Sequence, residues 1–206
     1  FSDPNNVDTE YILIAQGDSM LAIKPPGTLR VINYPSDEEV TLDATLVQAF
    51  DKVLLMRNPT DGSPLLWDGD FDNAMTVAST SGTPASIDSV DYATYFRNRL
   101  YAIVDKDTVR YSDLIDLVNW QAVVNDFTFN SGSDDQLVAI VPRDDNTLIV
   151  FKNQSVYAIT GISSTLSAPV LQLLTEEYGL ASRLAAMRVG NDTIFLSEKG
   201  LFTVNQ

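Results

Sequence analysis

Neither cysteine nor histidine occurs among the 206 residues of this chain. Lack of cysteine excludes disulfides, thiolate nucleophiles and zinc–sulfur sites, and it fits synthesis in a reducing compartment. Lack of histidine removes the commonest general base and the commonest transition-metal ligand together. Positive charge is scarce: 13 Lys and Arg stand against 28 Asp and Glu, a net charge of −15. Such a surface is repelled by nucleic-acid phosphates and anionic lipid heads unless its cations are gathered locally. They are not gathered, since Arg97 and Arg99 lie close together but between Asp91 and Asp105. The plain reading of this acidity is solubility. No apolar run approaches the roughly 18 residues of a membrane-spanning helix, and no membrane contact is expected. Gly-rich phosphate loops, nucleophile elbows and paired-histidine motifs are also missing. The chain opens with neither an initiator methionine nor a signal-peptide pattern, and residues 201–206 lie inside an expected strand. A piece of a longer polypeptide is therefore expected.

What is present is repetition. Segments 46–70, 92–113, 137–161 and 184–206 share one pattern, and 11–34 is a looser fifth copy. Each has an apolar run, a short polar turn, a second apolar run, another polar turn and a third apolar run. The apolar residues that follow the first turn are Met20, Val53, Leu100, Leu148 and Ile194, spaced 33, 47, 48 and 46 positions apart. A recurring β-meander of this length is the mark of a β-propeller. One meander cannot bury its apolar face without a neighbour, so the copies argue for one array. The expected fold is all-β: a propeller-like array of four-stranded antiparallel blades, incomplete in this piece, forming a single domain over 1–206. Its repeats cover 11–44, 46–78, 92–129, 137–175 and 184–206.

Strand chemistry supports this pattern. Residues 147–151 (TLIVF) and 155–159 (SVYAI) are rich in β-branched and aromatic residues. The intervening Lys152, Asn153 and Gln154 read as a hairpin loop, and the counterpart in the last copy is Glu198, Lys199 and Gly200. Fourth strands are expected at 41–44, 74–78, 125–129 and 169–175, and loops at 79–89 and 130–136. Residues 113–121 (DLIDLVNWQ) look like a short helical turn. Residues 181–188 contain good helix formers, yet their repeat counterparts 137–142 and 92–96 place them in a strand. If Leu148 is core, Leu148→Ala costs about 2–5 kcal/mol.

Some residues invite a chemical reading. Asp68, Asp70 and Asp72 alternate as calcium ligands do, but an EF-hand needs Gly at 73 and Glu at 79, where this chain has Asn73 and Ser79. An acidic connector is the simpler account, and no metal site is expected. Asp144, Asp145 and Asn146, like Asp105, Lys106 and Asp107, read as turn residues at hairpin tips. Glu176, Glu177 and Tyr178 invite comparison with glycosidases that use a tyrosine nucleophile. Those sites also need clustered arginines, and only Arg183 and Arg188 are near in sequence. Trp67 and Trp120 neighbour acidic residues, so they read as packing anchors between blades rather than base-stacking platforms. No catalytic, cofactor-binding or metal residue is assigned, and the chain is expected not to be an enzyme.

From Arg99 to Gly161 the order is a strand, Tyr111-Ser112-Asp113, then Asn119-Trp120. Phe127 and Phe129 follow, then a Gly/Asp loop, a hairpin with Phe151-Lys152, and a strand ending Tyr157 to Gly161. The pattern continues through Tyr178-Gly179-Leu180, Gly190 to Asp192, Phe195 to Ser197 and Lys199-Gly200-Leu201. This order resembles the propeller-bearing tail and neck proteins of tailed bacteriophages, in particular the nozzle or tail-hub component of short-tailed phages. It covers 99–206, and more loosely 46–78; Lys24 to Gly27 and Asp37 to Glu39 match nothing in it. The resemblance implies a structural virion protein of the tail or neck, assembled in the host cytoplasm. It further implies a homo-oligomeric ring, commonly six-fold, in contact with portal, adaptor and tail-fibre proteins. Genomic DNA would pass through the ring without specific binding. The alternative is a cellular β-propeller scaffold for protein–protein interactions.

Overall fold

Eighteen strands in five antiparallel sheets make up the fold, as described by a computed structural model for residues 1–2, 10–41, 44–78, 90, 92–121, 124–162 and 169–204. Sheet 1 contains β1 (Ile12–Gln16), β2 (Ser19–Lys24) and β3 (Thr28–Asn33). Sheet 2 contains β4 (Thr45–Ala49), β5 (Lys52–Met56), β6 (Leu65–Trp67) and β7 (Thr76–Val77). Sheet 3 contains β8 (Ala93–Phe96), β9 (Arg99–Asp105), β10 (Thr108–Tyr111) and β11 (Asp126–Thr128). Sheet 4 contains β12 (Leu137–Pro142), β13 (Thr147–Lys152), β14 (Val156–Thr160) and β15 (Val170–Thr175). Sheet 5 contains β16 (Ala186–Val189), β17 (Asp192–Ser197) and β18 (Gly200–Val204). Each sheet is a simple meander in chain order. The first strands of sheets 2 to 5 approach one another in succession, β4 to β8 to β12 to β16, so they stand innermost and the later strands lie outward. This is propeller architecture.

Buried apolar side chains hold adjacent sheets together face to face. Alternation within a strand sends successive side chains to opposite neighbours. In sheet 2, Val53 and Leu55 pack toward sheet 1, while Leu54 and Met56 pack toward sheet 3. In sheet 4, Leu148 and Val150 meet Tyr101, Val109 and Phe127 of sheet 3, while Ile149 and Phe151 meet Phe195 of sheet 5. Every residue of β13 is therefore buried, which is why its sequence is a continuous apolar run rather than an alternation. Leu148 is fully buried. Leu148→Ala is expected to cost about 3 kcal/mol, read as a lower denaturant midpoint at unchanged slope.

Registers revise the sequence reading in several places. Among the described residues sheet 1 has three strands rather than four; sheet 5 also has three, and no fourth was expected there. Thr41 and Ala44 lie outside any strand, and 42–43 fall outside the described residues, as does the expected loop 79–89. The other fourth strands are real, as β7, β11 and β15. Residues 113–121 form turns and an isolated bridge between Ser112 and Trp120 instead of a helical turn. Here the Asp113 carboxylate takes hydrogen bonds from the side chains of Asn119, Gln121 and Asn125, holding the segment open. At 181–188 only Ala186 onward is strand, because Ala185 N–H bonds Ser182 O in a turn before it. Lys152 ends a strand rather than starting a loop.

The repeat anchors hold at Val53, Leu100 and Leu148, which all pack toward the preceding sheet. Ile194 is one residue out of step. The hairpin pairs Ala49↔Lys52, Phe96↔Arg99 and Val189↔Asp192 make Thr193 the equivalent of Val53 and Leu100. Thr193 is buried, whereas Ile194 lies on the opposite, exposed face with Leu196. Met20 has the matching hairpin position, from Gln16↔Ser19, but packs forward onto sheet 2. Sheet 1 is thus turned over relative to the others. Its outer face presents Ile12, Ile14, Leu29 and Val31 to solvent, as the far face of sheet 5 presents Met187, Val189, Leu196 and Leu201.

Candidate functional site

A pocket of about 280 Å³ opens where the inner strands of sheets 2 to 5 begin. Three strand entries frame it, through Thr45 at the start of β4, Tyr92 just before β8 and Leu137 at the start of β12. The segment 182–184, which leads into β16, closes the fourth side. It exists because each meander starts next to the axis, so four chain entries converge at one end of the array. Gln136 and Asn153 add side-chain amides, and Arg183 adds a guanidinium. The Gln136 and Asn153 backbones are tied together, Asn153 N–H donating to Gln136 O at 2.9 Å. The Tyr92 hydroxyl donates to Ile140 O at 2.8 Å. Burial raises the Tyr92 pKa above the usual phenol value, against the pull of that backbone bond and the Arg183 charge.

A second pocket, about 230 Å³, lies between sheets 4 and 5 and is lined by Gln154, Glu176, Glu177, Glu198 and Lys199. Tyr178 is engaged in packing beside it. The Tyr178 ring packs on Phe202 with centroids 4.3 Å apart, and the Lys199 ammonium lies over the same Tyr178 ring, 5.2 Å from its centroid. Arg183 belongs to the central pocket, and Arg188 Nε donates to Gly190 O at 2.8 Å on the β16–β17 turn. Arg188 is therefore engaged on its own turn rather than with Glu176, Glu177 and Tyr178.

The Asp68 and Asp70 carboxylates serve local geometry, and Asp72 takes part through its backbone N–H. Asp68 accepts from Asp70 N–H at 3.0 Å and from the Asn73 amide at 2.7 Å, and Asp70 accepts from Asp72 N–H at 3.0 Å. Asp144 accepts from Asn146 N–H at 2.8 Å in the same manner. Arg97 bonds the Asp145 carbonyl, and Arg99 donates to Ser112 O at 2.7 Å beside the Tyr111 ring, so the two arginines form no basic cluster. Trp67 sits in the core between sheets 1 and 2, and Trp120 in the core between sheets 2 and 3.

Sequence reading missed the buried polar groups, among them the cluster around Asp107 and Lys152. Asp107 is not only a turn residue: its carboxylate accepts from Lys152 Nζ at 2.9 Å and from Gly132 N–H at 3.0 Å. The ammonium also donates to Phe129 O at 3.0 Å and Ser133 Oγ at 3.3 Å. Lys152 is fully buried, and the bond it gives Asp107 holds that carboxyl below the usual aspartate value. A lysine closing an apolar strand was the available signal, because a buried ammonium demands a counter-charge.

No protein-family model matches the chain, and no curated protein matches it in sequence. Solved structures do match in shape. The chain is similar to YCF48 bound to a D1 peptide, at 11% identity and TM-score 0.58, covering 91% of this chain and 61% of that one. It is similar to BamB from Moraxella catarrhalis, at 14% identity and TM-score 0.53, covering 96% of this chain and 57% of that one. It is also similar to virginiamycin B lyase from Staphylococcus aureus, at 10% identity and TM-score 0.54, covering 98% and 71%. The chain thus spans less than two thirds of the YCF48 and BamB chains. At these identities the likeness is one of fold, and that fold is the β-propeller.

Proposed function

We propose that this chain is a protein-interaction scaffold that holds a peptide segment of a partner in the central pocket and makes or breaks no covalent bond. The observation that carries this reading is the lining of that pocket. The side-chain amides of Gln136 and Asn153 make no hydrogen bond among the described residues, and they stand beside the apolar Leu137, Val138 and Leu184. Amides of that kind satisfy a peptide backbone, while the apolar positions take a side chain. The YCF48 likeness supports the reading, since that structure holds a peptide on the same fold. Screening a random peptide library against the whole chain tests it. Selected peptides are expected to lose at least about tenfold in affinity with Leu184→Glu, one factor of ten being about 1.4 kcal/mol. Leu184 is 86% exposed, so the change leaves the fold intact. Selection of no peptide, or binding indifferent to Leu184→Glu, would overturn the proposal.

A narrower reading keeps the resemblance to phage tail and neck proteins. Its support is the net charge of −15. Duplex DNA carries one negative charge per roughly 1.7 Å, and carboxylates near a channel wall form no phosphate pairs to break, so DNA slides. Screening limits this effect to about 10 Å at moderate salt. This version calls for rings of subunits by negative-stain microscopy and no duplex binding at low salt. Micromolar duplex affinity would rule it out.

A further inference from the structure

The outer strands of the five sheets are protected unequally. β7 and β11 are two and three residues long, β11 carries Asp126, and β3 carries Arg30. Short strands and charged side chains are the usual protection of a free sheet edge. β18 is uncharged, but its Phe202 and Val204 pack into the core shared with sheet 4. β15 has none of these protections. It is six residues long, VLQLLT, and among the described residues only β14 pairs with it. Val170, Leu171, Leu173 and Leu174 are all exposed. Alternation places them on both faces of the sheet. The register with β14 runs unbroken from Val170 to Leu173, and Leu174 is the extra residue of a bulge. The outer edge of 170–173 therefore offers a regular row of main-chain donors and acceptors.

We infer that β15 pairs antiparallel with β15 of a second copy, joining two four-stranded sheets into one of eight strands. Charge selects this occupant and this direction. No Asp, Glu, Lys or Arg occurs from 153 to 175, and Glu176 and Glu177 follow at once. A parallel pair would set each glutamate beside its own copy, which is unfavourable. An antiparallel pair about a two-fold axis at Gln172 sends the glutamates to opposite ends, each beyond the uncharged start of the facing strand. Leu171 then meets Leu173 on one face. On the other face Gln172 meets its own copy, and each amide both donates and accepts. The two-fold contact consumes both edges, so growth stops at two copies. The regular stretch is short, so the dimer is weak and depends on concentration. Two bodies of net charge −15 also repel each other. Raising salt from about 10 mM to about 150 mM shortens the screening length from about 30 Å to about 8 Å. That relieves the repulsion and leaves an uncharged contact untouched, so the dimer tightens with salt. None of 170–175 lines the central pocket, and the dimer stands or falls independently of any peptide there.

Sedimentation of the whole chain over about a hundredfold range of concentration, at both salts, tests this. The expected result is a monomer–dimer equilibrium whose dissociation constant falls about tenfold or more at the higher salt. Gln172→Lys sets two ammonium groups opposite each other at the axis. It is expected to abolish the dimer, although one added positive charge takes the net charge from −15 to −14 and eases the overall repulsion. Gln172 is exposed, so the change leaves the fold intact. Gln172→Cys gives the opposite readout. The chain has no other cysteine, and facing Cα atoms of an antiparallel pair lie about 4.5–5.5 Å apart, within disulfide reach. It is expected to form a disulfide-linked dimer on oxidation faster than Leu201→Cys, which puts an exposed cysteine on sheet 5. A chain that stays monomeric at every concentration and salt overturns the inference and leaves the edge to a strand of another protein. A dimer indifferent to Gln172→Lys overturns it too, as does Leu201→Cys linking as fast as Gln172→Cys, because either result puts the contact elsewhere.

Discussion

Lys152→Ala is expected to destabilise the fold by about 5 kcal/mol, near the upper end for breaking a buried ion pair. The ammonium is fully buried and its three partners, the Asp107 carboxylate, Phe129 O and Ser133 Oγ, all belong to sheet 3 or to the loop that leaves it. Truncation strands Asp107, itself 5% exposed, in the seam between sheets 3 and 4 with Gly132 N–H as its remaining donor. It also opens a cavity where the four-carbon stem lay. The double variant Lys152→Met, Asp107→Leu removes both charges and keeps the volume. It is expected to recover most of the loss, because replacing both members of a buried pair is often neutral. Urea unfolding of the three proteins decides this. A loss below about 1 kcal/mol in Lys152→Ala would mean the pair carries little, as exposed pairs do.

The same pair sets the acid limit of stability. The folded Asp107 pKa lies below its unfolded value, chiefly through the Lys152 hydrogen bond. A carboxyl depressed by folding contributes stability that is complete above the unfolded value, near 3.9. That contribution drains away as pH falls through the lower folded value. Wild type is therefore expected to lose stability between about pH 5 and the folded pKa. In the double variant, which has no carboxyl at 107, the acid limb is expected to be shallower.

Much of this fold was legible because a repeat exposes its own period. Leu148 and Val150 alternate with Ile149 and Phe151, and both sets are needed only if β13 has a sheet on either side. The register at the ends was harder to read. Ile194 looks like the counterpart of Leu148 in apolar character, yet the buried position belongs to Thr193. A hydroxyl residue gives no hydrophobic signal, and only the pairing Val189↔Asp192 reveals the step. The inversion of sheet 1 was invisible for a related reason. Its two faces, Leu13, Met20 and Ala22 on one side and Ile12, Leu21 and Ile23 on the other, are both apolar, so composition does not say which meets sheet 2. The central pocket could not be found from sequence at all. Its walls come from four separate repeats, and Arg183 and Gln136 lie 47 positions apart. Nothing local marks them as neighbours.

Gly179→Ala is expected to cost about 4 kcal/mol and to loosen sheet 5 before the rest of the molecule. A Cβ at 179 would lie far inside 3.0 Å of the Asn153 carbonyl and of Gln154 N. These are backbone atoms of the β13–β14 hairpin, which have no rotamer by which to move away. The segment 176–180 must lift instead. Lifting it breaks the bond from Leu180 N–H to Lys152 O at 2.9 Å, exposes Leu180, and separates Tyr178 from Phe202. Burial of one leucine is worth about 1.5–3 kcal/mol, the backbone bond about 1 and the ring pair about 1. Gly190→Ala is the control. Gly190 has φ +64°, with nothing within 4 Å of the added carbon, so the change costs only the conformational strain of about 1–2 kcal/mol. Hydrogen exchange separates the two accounts: in Gly179→Ala the amides of 192–204 lose protection while those of 147–152 keep it. If Gly179→Ala costs no more than Gly190→Ala, the close approach at Asn153 is wrong. Asn153 also lines the central pocket. Its amide stays in place, because the hairpin does not move; Gly179→Ala should instead weaken peptide binding through Leu184, which lies on the segment leading into the loosened sheet 5 and lines the same pocket.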